Sequence, residues 1–103
     1  MELWKELHER AASYKGTDDL VFISMFARKI PRFGRGCACN EHFQVYRKNF
    51  PPPFGEPFGV ESQYFIWTYN LHESVNQRLC KPSFTLEQIQ EMYKYAENLE
   101  ING

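Results

Sequence analysis

The residues of this chain best suited to redox or nucleophilic chemistry are its three cysteines, Cys37, Cys39 and Cys80, and its three histidines, His8, His42 and His72. Two of the cysteines stand in the run Gly36-Cys37-Ala38-Cys39-Asn40-Glu41-His42-Phe43, where a glycine-punctuated loop passes into a helical pattern. At a helix N-terminus, unpaired backbone N–H groups and the positive end of the dipole favour a thiolate. That lowers a thiol's pKa toward working pH and makes a nucleophile or a redox centre. Two reduced structural cysteines are the alternative, but a boundary with Gly36 on one side and Asn40-Glu41 on the other is a poor apolar core. Metal is a further alternative, with Cys37, Cys39 and His42 as ligands and His72 or Cys80 as a fourth. Against it, Cys-x-Cys-x-x-His is not a common zinc spacing and the second ligand pair is missing.

Trp4 and His8 are one helical turn apart, as are His72 and Asn76, and Glu41 and His42 follow the cysteines on a third helix. Taken singly, each reads as an ordinary core ring or a satisfied buried histidine. Together they would suit a planar heteroaromatic ligand, whose face needs stacking partners and whose edges need donors and acceptors. Lys81 could meet a phosphate, or be a solvated surface charge.

These groups must be positioned by one unit, because 103 residues leave room for a single domain spanning 1–103. Leu3, Trp4, Leu7, His8, Ala11, Ala12 and Tyr14 recur at three and four, which predicts a first helix that Gly16 ends. Thr17-Asp18-Asp19 is an N-cap signal with acid in the first turn, and Leu20, Val21, Ile23, Phe26, Ala27 and Ile30 carry a second helix to Pro31. After the loop 32–36, residues 38–49 read as a third helix, with Phe43, Val45 and Tyr46 inward and Arg47 and Lys48 at its C-terminal end. The prolines and glycines of 51–59 make a loop. Order restarts at Ser62, and Tyr64, Trp67, Leu71, Val75 and Leu79 predict a long fourth helix that ends before Pro82. Thr85 with Gln88 is a capping box, and Leu86, Ile89, Met92, Tyr93 and Ala96 predict a shorter fifth helix. No strand pattern, repeat or low-complexity tract is visible. The expected fold is all-α, a four-helix bundle with a short fifth helix packed across one end.

Composition narrows the function. A 17% share of aromatic residues within a 43% apolar total can offset ordering entropy, so disorder is disfavoured. A formal charge of -1 gives no field-driven attraction to nucleic acid or anionic lipid, and no apolar run approaches a membrane span. An odd cysteine count without a secretory-type N-terminus disfavours a disulfide scaffold and makes a cytoplasmic location the expectation. A chain this short gains stability from a metal, a cofactor or a partner subunit, which favours a homodimer.

The string Trp4-x-x-x-His8-x-x-Ala11-x-x-Tyr14, then Cys39-x-x-His42-Phe43, then Trp67-x4-His72-x-x-Val75-Asn76-x-x-Leu79-x-Lys81-Pro82-x-Phe84 resembles the Erv/ALR family of FAD-linked sulfhydryl oxidases. The likeness spans nearly the whole chain, its most specific part is the fourth helix, and it is nearest to short members such as those of large DNA viruses. The resemblance implies a helical bundle around FAD, usually a homodimer, that oxidises protein dithiols and passes the electrons to molecular oxygen, giving hydrogen peroxide. It implies that Trp4, His8 and Tyr14 line the FAD site from the first helix, and Cys39 and His42 from the third. His72, Asn76 and Lys81 would hold the cofactor, with Val75, Leu79, Phe84 and Tyr93 nearby. Cys39 would be the flavin-proximal sulfur and Cys37 the sulfur that exchanges disulfide with substrate. A thioredoxin-like protein would serve as substrate or relay, and the viral likeness would place the chain at a site of virus assembly.

The chain departs from the family pattern in three places. The family has Cys-x-x-Cys, whereas here Gly36 stands three before Cys39 and the available partner is Cys37. A bridge with one intervening residue would be strained and correspondingly oxidising, or would not form. Glu73 stands where the family usually has Asn, and Cys80 where it usually has Gly. A Cys39–Cys80 or Cys37–Cys80 bridge, a flavin-binding or dimeric scaffold without turnover, and a small metal-binding interaction domain therefore stand as competing readings.

Overall fold

Helix α1 (Glu2–Ala12) ends four residues before Gly16, whose φ of +104° favours glycine at the turn toward the next helix. The computed structural model describes residues 2–30 and 39–99, with side chains placed over 4–30 and 40–99. α2 (Leu20–Lys29), α3 (Cys39–Asn49), α4 (Gln63–Arg78) and α5 (Leu86–Tyr93) follow, with single 3-10 turns at Gly59–Glu61 and Lys94–Asn98. The described residues contain no strand, and the architecture is all-helical, as the apolar periodicity predicts.

α4 is the central element, packed on α1 along one flank, on α3 along another, and on α5. Its start is fixed by Ser62, whose Oγ accepts the Phe65 N–H at 2.9 Å, and α5 begins with the full Thr85–Gln88 capping box. Leu7, Ala11, Ile23, Phe26, Phe43, Tyr64, Phe65, Trp67, Leu71, Ile89 and Ala96 form one continuous core between the helices. Tyr14, Phe54, Phe58 and Tyr64 make a cluster of tilted and edge-on rings that seats the proline-rich loop on the end of α1.

Several sequence expectations change. Asp19, expected as first-turn acid, is itself the N-cap residue of α2 and makes no side-chain cap bond. Its carboxylate instead receives Arg10 Nε at 2.9 Å, Arg10 Nη2 at 2.8 Å and the Tyr64 hydroxyl at 3.0 Å, so it joins α1, α2 and α4. Asp18 takes over the local turn by accepting the Leu20 N–H at 2.8 Å. Val45, expected inward, is 57% exposed. It lies two residues from Phe43, about 200° around the helix, so both cannot face the core. Met92 is exposed while Ile89 carries the buried face of α5, and residues 94–98 tighten into 3-10 geometry.

The C-terminus of α4 is a Schellman turn. Lys81 N–H donates to Asn76 C=O at 2.9 Å and Cys80 N–H to Gln77 C=O at 3.2 Å, while Cys80 adopts φ +56°. This is where the resembled family carries glycine, and the left-handed backbone is the reason glycine belongs there. A side chain in this region costs about 1–2 kcal/mol, partly offset by the restriction it places on the unfolded chain. Cys80→Gly should raise stability by roughly 0.5–1 kcal/mol, read as a higher urea midpoint at unchanged slope.

Candidate functional site

α1 and α4 bring two imidazoles and an indole together. One turn of α1 separates Trp4 from His8, and one turn of α4 separates Thr68 from His72, so each helix presents both groups on one face. The Trp4 and His72 rings stack with centroids 4.1 Å apart and planes 7° from parallel. His8 lies behind them, its centroid 5.2 Å from His72 and 6.1 Å from Trp4, and Tyr93 of α5 closes the group 5.2 Å from His8. His8 is fully buried, while Trp4, His72 and Tyr93 are partly exposed. The stack therefore has a sealed inner end and an open outer edge.

Hydrogen bonds hold the inner end. His8 Nδ1 lies 3.0 Å from Thr68 Oγ1, and His8 Nε2 lies 3.0 Å from His72 Nδ1. Burial drives the His8 pKa down to about 3, and the neighbouring His72 adds to the shift. Burial likewise lowers His72 to about 4, with Lys81 acting in the same direction and Glu73 against it. Both rings are neutral at physiological pH.

His42 stands apart from this stack. On α3 it contacts Ser74 of α4, with Nε2 and Oγ 2.8 Å apart, and Ser74 donates its own hydrogen to Leu71 C=O at 2.7 Å. The spent hydroxyl can only accept, so His42 Nε2 carries the hydrogen. Partial burial and Arg78 lower the His42 pKa, in that order of weight. Ser74 lies two residues beyond His72, about 200° around α4, so His42 and the ring stack occupy opposite flanks of the same helix.

The remaining candidates scatter around these two centres. Val75 is buried, Asn76 and Leu79 are partly buried along the last turns of α4, and Lys81 and Phe84 are exposed beyond it. Tyr14 belongs to the ring cluster under the proline-rich loop, ten residues along from Trp4, and its buried hydroxyl meets no hydrogen-bond partner among the described residues. Cys39 is the first residue of α3, while its side chain and all of Cys37 lie outside the described residues. Cys80 is exposed and has no disulfide partner among the described residues. The expected Cys37–Cys39 pairing and the metal alternative built on those two sulfurs thus fall outside the described residues. Among the described residues no three His, Cys, Asp or Glu side chains gather as a metal site, and no helix is long and apolar enough to cross a membrane.

A family model for the Erv1 / Alr family matches residues 1–94. The chain belongs to that family. No curated protein and no solved structure matches it. Erv1 / Alr proteins are associated with sulfhydryl oxidase activity and typically bind FAD, which sets the chain, at a coarse level, among the oxidoreductases. The match contains the ring stack, the α3 N-terminus and the Schellman turn.

Three residues that position these candidate groups carried little signal in the sequence. Asn40, next to Cys39, is buried and donates its amide to Ala27 C=O at 2.8 Å and Ile30 C=O at 3.2 Å. It thereby caps the end of α2 and fixes where α3 begins. Thr68 could have been singled out by standing four residues before His72, but Ser74 had no comparable flag.

Proposed function

We propose that this chain is a FAD-dependent thiol oxidase that converts protein dithiols to disulfides while molecular oxygen is reduced to hydrogen peroxide. The observation that carries the reading is the neutral Trp4–His8–His72 stack, open at its outer edge, in a chain of the Erv1 / Alr family. The donor set fits a flavin: flat faces from indole and imidazole, uncharged ring nitrogens, and the Asn76 amide one turn beyond His72 can meet a heteroaromatic ring and its polar edge without burying an unpaired charge. When bound, the flavin supplies two-electron redox chemistry between thiols and oxygen.

The chain itself supplies the thiol exchange. A substrate thiolate attacks Cys37 of a Cys37–Cys39 disulfide, forming a mixed disulfide and releasing Cys39 as thiolate. The second substrate thiolate then attacks the mixed disulfide, releasing the oxidised substrate and Cys37. The N-terminus of α3 favours the thiolate at Cys39 through its unsatisfied N–H groups, and Asn40 holds that terminus against α2. The substrate is a protein dithiol or a thioredoxin-like relay. The one-residue spacing between the cysteines favours one rival, a flavin-binding scaffold without turnover.

A visible spectrum of the purified protein and oxygen uptake with dithiothreitol test both readings. Flavin bands with turnover support the oxidase, flavin bands without turnover leave the scaffold, and the absence of both bands and turnover removes the proposal. His72→Ala opens the stack and orphans His8 Nε2, so FAD affinity should fall about tenfold or more. A full flavin complement in that variant would show that the pocket lies elsewhere.

We also propose a homodimer of two such chains. α2 is apolar on both sides: Ile23, Phe26 and Ala27 face the core, while Leu20, Val21 and Met25 are 50, 75 and 56% exposed along the opposite stripe. Val21→Glu would bury a charge at that contact and should yield a folded monomer by light scattering at micromolar concentration. A wild-type monomer, or an unchanged dimer in Val21→Glu, would count against this face.

A further inference from the structure

The hydrogen-bond chain behind the ring stack has a direction that its distances and burial fix. Thr68 Oγ1 lies 2.6 Å from Phe65 C=O, one turn earlier on α4, and a carbonyl only accepts, so the hydroxyl hydrogen is spent there. His8 Nδ1, 3.0 Å from the same oxygen, must then carry a hydrogen and donate it. His8 is 1% exposed and no carboxylate bonds it among the described residues, so nothing compensates a second hydrogen on this ring. Its Nε2 is a lone pair, and His72 Nδ1, 3.0 Å away, is the donor that fills it. His72 is then the Nδ1–H form, with a bare Nε2 on the other side of its ring.

We infer that Thr68 is a positioning residue: it fixes the hydrogens of both His8 and His72, so that His72 presents Nε2 as an acceptor for an N–H group of the bound cofactor. Only the last step rests on the flavin reading. The donations run from His72 to His8 to Thr68 to the α4 backbone, and all of them turn on one hydroxyl whose partner is a rigid helix carbonyl. Without that hydroxyl, His8 has no acceptor at Nδ1. The ring then gains by moving its hydrogen to Nε2 and donating to His72, and His72 answers by holding its own hydrogen at Nε2. The acceptor offered to the cofactor becomes a donor, and a matched N–H edge would meet another N–H.

Long-range proton–nitrogen NMR of the 15N-labelled chain at pH 7.5 reads the hydrogens directly, with or without cofactor. Both His8 and His72 should be Nδ1–H. Finding His72 as Nε2–H overturns the inference whatever the chain binds. Thr68→Val, close to isosteric, should move the His72 hydrogen to Nε2 and weaken FAD about tenfold or more, whereas Thr68→Ser should restore both the wild-type spectrum and FAD affinity to within about twofold. A Thr68→Val protein with wild-type spectrum and affinity overturns the assignment. Should Thr68→Val fail to fold, the wild-type spectrum and Thr68→Ser decide. If the wild-type chain takes up no FAD, the flavin reading and the last step fail together, while the His72 spectrum still decides the relay.

Discussion

Cys37→Ser and Cys39→Ser should each abolish dithiol oxidation, by on the order of a thousandfold or more, and leave the flavin bound. Cys80→Ser should keep both activity and colour. The three positions differ physically. Cys39 begins α3, where the helix terminus favours its thiolate, and a serine there has no accessible anion at working pH. Cys37 is two residues earlier in the sequence, next to Gly36, and the family resemblance makes it the sulfur that meets the incoming thiol. Cys80 follows α4 in left-handed backbone, exposed and with no disulfide partner among the described residues, and the Schellman turn accounts for its backbone conformation. Mass spectrometry of a non-reduced digest, alongside oxygen uptake with dithiothreitol, checks the assignment. A Cys80-linked peptide together with loss of activity in Cys80→Ser would move the redox bond to Cys80. All three thiols free, with flavin bound and no turnover, would favour the scaffold.

The helices were legible because each announces its own start or its own buried stripe. Thr85 and Gln88 spell out a capping box, Ser62 precedes a stripe from Tyr64 to Val75, and both starts are as expected. What periodicity cannot report is the surface that opposes a face. Leu20 and Val21 belong to the apolar pattern of α2 and yet are exposed, as is Met25, because α2 has two apolar sides and only one meets the rest of the chain. The members of the site were legible as residue types at one-turn spacing on α1 and α4. Their joining was not: His8 meets Thr68 across 60 residues of chain, and only packing of α1 on α4 decides which hydroxyl faces which ring. Asn40 shows the same limit, since beside two cysteines it reads as polar surface, yet it is buried against the carbonyls that end α2.

The protein should lose stability steeply as pH falls below about 6.5, because His8 and His72 are neutral inside the fold. The unfolded chain binds protons on these rings from the ordinary value of 6.5 downward, whereas the folded chain resists until about 3 for His8 and about 4 for His72. Between those limits the unfolded state holds more protons, so stability rises with pH and is lost on acidification. At pH 5 the buried His8 alone accounts for about 2 kcal/mol. His72 is partly exposed, and solvent screening cuts its share to about 1 kcal/mol or less. Protonation also places two positive rings 3.0 Å apart at their nitrogens and destroys the acceptor that His8 offers to His72, so the ring stack and any flavin on it should be lost first. Urea melts at pH 7.5 and pH 5 should differ by about 2–3 kcal/mol, with flavin fluorescence rising at lower urea than the loss of helix at the acid pH. His8→Gln, which cannot take up the proton, should flatten that pH dependence even if it lowers stability at pH 7.5. Equal stability of the wild-type chain at the two pH values would overturn this acid sensitivity, and an unchanged acid slope in His8→Gln would remove His8 as its main source.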